Sequence, residues 1–305
     1  MAEIYLQTKG TLREWQETVV RLAHNNSRLT TVLCFGLMAL LREGASLPAR
    51  TLCLVGGSPE ERALARVLCA GVSTGTVKDK SLGSAAESGS FEDYIKSLYG
   101  IGQDLETCAR KHELTVLCLG EGAGESCEED LQLYAILNRC RTSCLTGRSG
   151  YLLQEEEADC PADITAQVIE VPADAGAGCG LFEDLHGAGS REAFCRTAGE
   201  AAKACCGQAA AAYLGGFVRD PSLYKVLQMY RRPIQAFYTP KGIRSDGQMM
   251  QTISFFSLLA AAGKLAEDMG ILTCENLPSM NIVCAVAKML DDHLTAMAHF
   301  NAYKS

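Results

Sequence analysis

The chain has 305 residues, 48% hydrophobic and 21% charged, ordinary globular values at a size that buries a full core without covalent staples. Its 28 Lys and Arg stand against 36 Asp and Glu, a formal charge of −8. That excludes a basic groove over the whole surface, the usual source of nonspecific nucleic-acid affinity, while leaving room for a local basic patch. The apolar runs stay below the ~18–20 residues of a membrane span. The first ten residues lack the basic-then-apolar order of a secretory signal, so a cytoplasmic protein is expected.

Fifteen cysteines are many, and their number is odd. In a reducing compartment they act as small apolar residues, so a cysteine-rich core of free thiols is expected. The close groupings, Cys140/Cys144 and Cys205/Cys206, lack the spacing of a zinc knuckle. The five histidines pair with none of them in a standard pattern, and no metal site is expected.

In chain order, Thr11-Leu-Arg-Glu14 is a capping box followed by Trp15, Val19, Leu22 and Ala23 at helical spacing. A second apolar helix is predicted over Leu29–Leu41, ending near Gly44. Thr51–Val55 reads as a buried strand that stops at Gly56-Gly57 and leads into helical sequence through Leu68. Residues 71–90 read as a loop, 91–111 and 131–141 as helices, and Leu114–Leu119 as a second strand closing at Gly120-Glu121. Gln167–Val171 is a third strand, 173–188 a glycine-rich turn, and Arg191–Tyr213 one Ala-rich helix. Asp246–Asp268 and Met280–Phe300 are two long helices. Strands alternating with helices early, and helices alone late, predict an α/β core with a helical C-terminal part. The expected division is an N-terminal helical segment over 1–50, the core over 51–218 and the helical part over 219–305.

The first strand–turn–helix is where an α/β protein places a phosphate loop. Such a loop needs glycines that turn N–H groups inward, a lysine for the terminal phosphates and a hydroxyl for Mg²⁺. Here Gly56, Gly57 and Ser58 are followed by Glu61, Arg62 and Ala63 where the second glycine, the lysine and the hydroxyl belong. Ser58 reads as the helix N-cap, Pro59 as the first helical residue and Glu61 as the capping-box partner. A self-capped helix with two carboxylates at its N-terminus repels a triphosphate. The second strand ends with Gly120 where a nucleotide hydrolase places its metal-binding Asp, and Glu121 stands as a remnant of the base.

Five stretches together are similar to one known family. They are Gly10-Thr-Leu-Arg-Glu-Trp-Gln16, Asn26-Ser-Arg-Leu29, Val171-Pro-Ala-Asp-Ala-Gly-Ala-Gly-Cys-Gly-Leu-Phe-Glu-Asp-Leu-His-Gly187, Asp246-Gly-Gln248 and Ala260-Ala-Ala-Gly-Lys-Leu-Ala266. The chain resembles the domain-of-unknown-function, helicase-like ATPase family found in primase–helicase proteins of phages, prophages and integrative elements. The resemblance implies a RecA/AAA+-like P-loop-type core, a parallel sheet flanked by helices, in an ATP-driven motor that works as a ring on DNA. The family's Gly-Lys-Thr matches Glu61-Arg62-Ala63, and its Asp-Glu matches Gly120-Glu121. Its arginine-rich approach to the late helix appears here as Met249-Met-Gln-Thr-Ile-Ser-Phe-Phe256. The expectation is a degenerate member, a pseudo-ATPase with no confident catalytic residue and no cofactor.

Two features carry other expectations. Asp174, Glu183, Asp184 and His186 of the family block form either a polar site or caps that tie down a long turn. Arg231, Arg232, Lys241 and Arg244, interleaved with Tyr224, Tyr230, Phe237 and Tyr238, are candidate contacts to single-stranded DNA; a solvated loop beside a helix is the plainer reading. The function expected is a non-catalytic assembly or regulatory module of mobile-element DNA replication, with a protein partner and single-stranded DNA as its candidate ligands and no membrane. The alternative is an active ATP-dependent DNA motor with a non-standard site, using ATP and Mg²⁺, with Arg62 for the lysine and Glu121 as base.

Overall fold

The computed structural model describes residues 8–41, 50–73, 116–118, 143–149, 151, 168–176, 178–239 and 247–304, with side chains of the last helix to residue 298. The helices expected over 91–111 and 131–141 lie outside the described residues. So do Gly120, Glu121, Lys241 and Arg244.

The Thr11/Glu14 capping box forms as its spacing predicts and opens α1 (Leu12–Trp15), which continues through a π-helical turn (Gln16–Val20) into α2 (Arg21–Ala23). α3 (Ser27–Leu40) is buried at every position, as a helix apolar on all sides must be. It ends at Leu40 with Leu41 as its C-cap, within one residue of the expected Leu41, and begins two residues before the expected Leu29.

β1 (Thr51–Val55), β2 (Val116–Cys118), β3 (Ser143–Arg148) and β4 (Val168–Pro172) form a four-stranded sheet in the order β2-β3-β1-β4, every pair parallel. β1 is buried throughout, the pattern of a parallel strand covered on both faces. Leu52, Leu54, Leu145, Ile169 and Val171 share one face by register and join the main core. β3, inserted between β1 and β2, is the strand absent from the sequence reading. Its Ser-Cys-Leu-Thr-Gly-Arg composition carries little of the apolar signal that marks β1.

α4 (Pro59–Ser73) follows β1 and packs on α3 and the sheet. The Ala-rich segment is two helices rather than one, α5 (Arg191–Ala204) and α6 (Gln208–Arg219), broken where Gly207 takes φ 71°. Left-handed backbone of this kind is nearly free only for glycine. α7 (Leu223–Tyr238) puts Arg231 and Arg232, expected in a solvated loop beside a helix, within a helix of their own, and leads to α8 (Gly247–Asp268) and α9 (Ile282–Lys304). α8 is the one described helix long and apolar enough to cross a membrane, and 67% of its most apolar stretch is buried within the fold. It approaches α3 so closely that a Cβ on Gly263 would stand 2.3 Å from Cys34 Sγ.

The result is the expected fold class: a RecA-like α/β core, parallel sheet flanked by helices, with a helical C-terminal part. Residues from Trp15 to Leu290 share one hydrophobic cluster. The parallel strands put the turns after β1 and β4 at the same end of the sheet, where open α/β sheets hold their ligands.

Candidate functional site

Two glycine turns leave neighbouring strands and interlock. In the turn after β1, Gly56 and Gly57 adopt φ 80° and 70°. The Gly56 N–H donates to Arg148 O of β3 (2.8 Å), and Ala173 N–H, after β4, donates to Val55 O (2.7 Å). The Ser58/Glu61 capping box is formed in both directions: Glu61 N–H donates to Ser58 Oγ (3.2 Å) and Ser58 N–H to Glu61 Oε2 (3.1 Å).

This places a carboxylate at the N-terminus of α4, where free N–H groups and the helix dipole favour an anion. Glu61 is 2% exposed. Its Oε1 lies 3.6 Å from Arg191 Nη1 and accepts no hydrogen bond. The carboxylate sits beneath Gly180, whose Cβ, if present, would fall 2.3 Å from Oε1. Arg62, also buried, turns back into its own loop, donating from Nη1 to the carbonyls of Gly56 (2.5 Å) and Gly57 (2.7 Å). Its stem lies over Gly147 of β3, where a Cβ would stand 2.6 Å from Arg62 Cδ. Ala63 supplies no hydroxyl. The exposed Glu60 carboxyl is held below its ordinary range by its backbone amide and by Ser58.

The turn after β4 encloses a second carboxylate. Asp174 accepts backbone N–H donors from Gly176 (3.1 Å), Gly178 (3.0 Å) and Gly180 (3.0 Å). Burial pushes its carboxyl up, but these three donors and the Arg28 charge together bring it below the ordinary range. Glu183 caps α3 from a distance: it accepts from the Ser27 backbone N–H, from Ser27 Oγ (3.0 Å) and from Lys288 Nζ of α9 (2.6 Å). Asp184 exchanges backbone–side-chain bonds with Asn26 (3.0 and 2.9 Å) and accepts the His186 N–H (2.7 Å). His186, at φ 48°, places Nε2 2.8 Å from the His24 carbonyl oxygen, which can only accept.

Arg28 joins these parts. Fully buried, it donates to the carbonyls of Pro172 (3.2 Å) and Asp174 (2.8 Å) and pairs with Asp292 of α9 (2.5 Å). Asp174, Glu183, Asp184 and His186 are thus brought into one region, each engaged by protein groups. No group of three or more metal-ligating side chains stands together among the described residues.

No protein-family model and no curated protein matches the chain. Among solved structures, an active helicase, SCCmec type IV Cch, matches over 97% of this chain with a TM-score of 0.66 at 11% identity. The chain folds like part of a helicase. It spans about half of that protein, 53% of its length.

In this helicase-like fold, the basic helix α7 has two sides. Arg231 turns inward to Ser254 Oγ (2.5 Å). Tyr238 is buried with its hydroxyl on Val283 O (2.7 Å), Tyr230 bonds to Asp268 of α8, and Tyr224 packs on Phe217 at 4.6 Å. Arg232 and Phe237 face outward together with Lys225 and Met229, and Met229 and Phe237 are each 68% exposed. At 100° per residue these four lie on one side of the helix, and α7 carries no acidic residue.

Sequence reasoning missed Arg28, Arg191, Lys288 and Asp292, which hold the turns in place. The only signal for Arg28 was its position in the Asn26–Leu29 stretch, one of the five that carry the resemblance. Lys225 and Met229 were missed because α7 itself was not recognised as a helix.

Proposed function

We propose that this chain is a non-catalytic helicase-like module that binds partners in the DNA replication of a mobile element and does not turn over ATP. The observation that carries the reading is the Glu61 carboxylate at the head of α4, in the place a phosphate would take. Arg62, the residue in the lysine position, is spent on Gly56 and Gly57 carbonyls. Favouring replication over other contexts is the resemblance to phage and prophage primase–helicase ATPases.

The deciding experiment is calorimetric titration of the reduced protein with Mg-ATP and Mg-ADP. No heat at millimolar nucleotide is the expected result; binding near micromolar overturns the proposal and revives a motor that uses Arg62 and Glu121. The outward face of α7 is the proposed contact surface, for a protein partner or single-stranded DNA. If DNA binds there, a labelled oligonucleotide will show salt-dependent anisotropy that Arg232→Ala with Phe237→Ala removes.

A further inference from the structure

We infer that the outward face of α7 is a docking surface for an acidic, amphipathic helix of a protein partner. The inference rests on the reading of this chain as a partner-binding module, and it names the chemistry of that partner.

Among the described residues, the large apolar side chains that stand exposed are Val218 at 82% and Met229 and Phe237 at 68% each. All of them lie in α6 and α7. The same pair of helices is basic. Residues 208–239 carry Arg219, Lys225, Arg231 and Arg232 against Asp220 alone, in a chain whose net charge is −8. Scattered exposed apolar residues are ordinary, but apolar residues gathered within one sign of charge mark a contact surface.

The stripe runs along α7. Lys225, Met229, Arg232 and Pro233 follow at i, i+4, i+7 and i+8, with Phe237 a turn further, the spacing that meets a second helix laid alongside. A helix offers side chains rather than a free backbone edge, so an extended peptide gains no ladder here. Pro233 has no N–H, so α7 supplies no i+4 donor to the Met229 carbonyl in the middle of the stripe. A lipid interior would strand that acceptor, whereas a polar side chain of a partner can serve it.

Single-stranded DNA fits less well. It needs aromatic faces spaced along the strand, and Tyr224, Tyr230 and Tyr238 pack against the body of the fold, leaving Phe237 as the one exposed ring of α7. Arg231 is engaged by Ser254. What remains is two cations, Lys225 and Arg232, beside a short apolar stripe. That pattern complements Asp or Glu placed beside Leu, Ile or Phe.

The test is fluorescence anisotropy with two labelled helical peptides of about 18 residues, long enough to lie along α7. One carries Leu at i, i+3, i+4 and i+7 with flanking Glu; its counterpart has Lys in place of Glu. Wild type is expected to bind the acidic peptide about tenfold or more tighter than the lysine one. Lys225→Glu with Arg232→Glu should reverse that preference. Met229→Ser with Phe237→Ser should weaken the acidic peptide about tenfold or more. Absence of binding, equal binding of the two peptides, or indifference to both double substitutions overturns the inference. So does displacement of the acidic peptide by oligo-dT, capture of the protein by anionic vesicles through Met229 and Phe237, or a self-association that Met229→Ser with Phe237→Ser removes. Those results would give the face to DNA, to a membrane or to a second copy. Should either variant not fold, the acidic peptide must slow amide exchange across residues 225–237 of the wild type, and failure to do so also overturns the inference. Nucleotide binding by wild type would instead overturn the non-catalytic reading and leave the peptide preference intact, so the two failures are distinct.

Discussion

The turns after β1 and β4 enclose one carboxylate each, and they treat it differently. Asp174 has three backbone N–H donors, while Glu61 has one donor and a distant cation. The first turn resembles a phosphate loop in position yet is filled from within. The second carries the most specific part of the family resemblance, and its polar groups are consumed in holding the strand end to α3 and α9. Resemblance thus tracks packing in one turn, while the divergent turn contains the unsatisfied atom.

The comparison can be broken most strongly at Arg28. Arg28→Met is expected to cost about 3 kcal/mol, because it leaves the half-buried Asp292 and two part-buried carbonyls without their partner; urea unfolding measures the loss. A cost below about 1 kcal/mol would mean that the second turn is not fixed by this residue.

Acid is expected to act next, since it reaches several groups of the second turn at once. Asp174, Glu183 and Asp184 lie below their ordinary values of 3.8, 4.5 and 3.8. For Glu183, burial pushes upward but Lys288 and Ser27 outweigh it; for Asp184 the His186 N–H leads. Their contribution is complete above the unfolded values and is lost as pH falls through the lower folded ones. His293 of α9, held neutral by burial and donating to Glu170 O (2.6 Å), adds an earlier loss that begins below 6.5. Urea midpoints should therefore fall in two stages from pH 7 to 3, and Asp174→Asn should flatten the lower one.

Gly180→Ala tests whether the two turns are one unit. The strained φ alone costs about 1–3 kcal/mol, and the new Cβ would also meet Glu61. Combined with Glu61→Ala, the cost should fall short of the sum; strict additivity would separate the turns. The smallest effect is expected at the cap, where Ser58→Ala should cost about 1 kcal/mol.

Much of the core was legible because its signals are local. Gly56-Gly57 after a Leu- and Val-rich run, and Ser58 three residues before Glu61, specify a strand, a turn and a capped helix within Thr51–Glu61. β3 was not legible, because a six-residue strand with one leucine is buried by its neighbours rather than by its own composition. α7 was obscured by Pro233, which lies within the helix on its exposed side. The candidate site was half legible. Glu61 and Asp174 stand in recognisable runs, but Arg191, Lys288 and Asp292 come from elements whose arrangement no local pattern encodes.

The pairing of Arg28 with Asp292 has a consequence for how the protein is made. The two residues are separated by 264 positions, and Gln16 likewise waits for the carbonyls of Gly270 (2.5 Å) and Ile271 (3.2 Å). At roughly 5–20 residues per second, translation leaves about 13–50 s between the emergence of α3 and that of its last partner. Throughout that interval a helix apolar on every side, with a cation at its second position, lacks the α8 and α9 surfaces that bury it. During synthesis α3 therefore exposes apolar surface that only the later helices α8 and α9 cover.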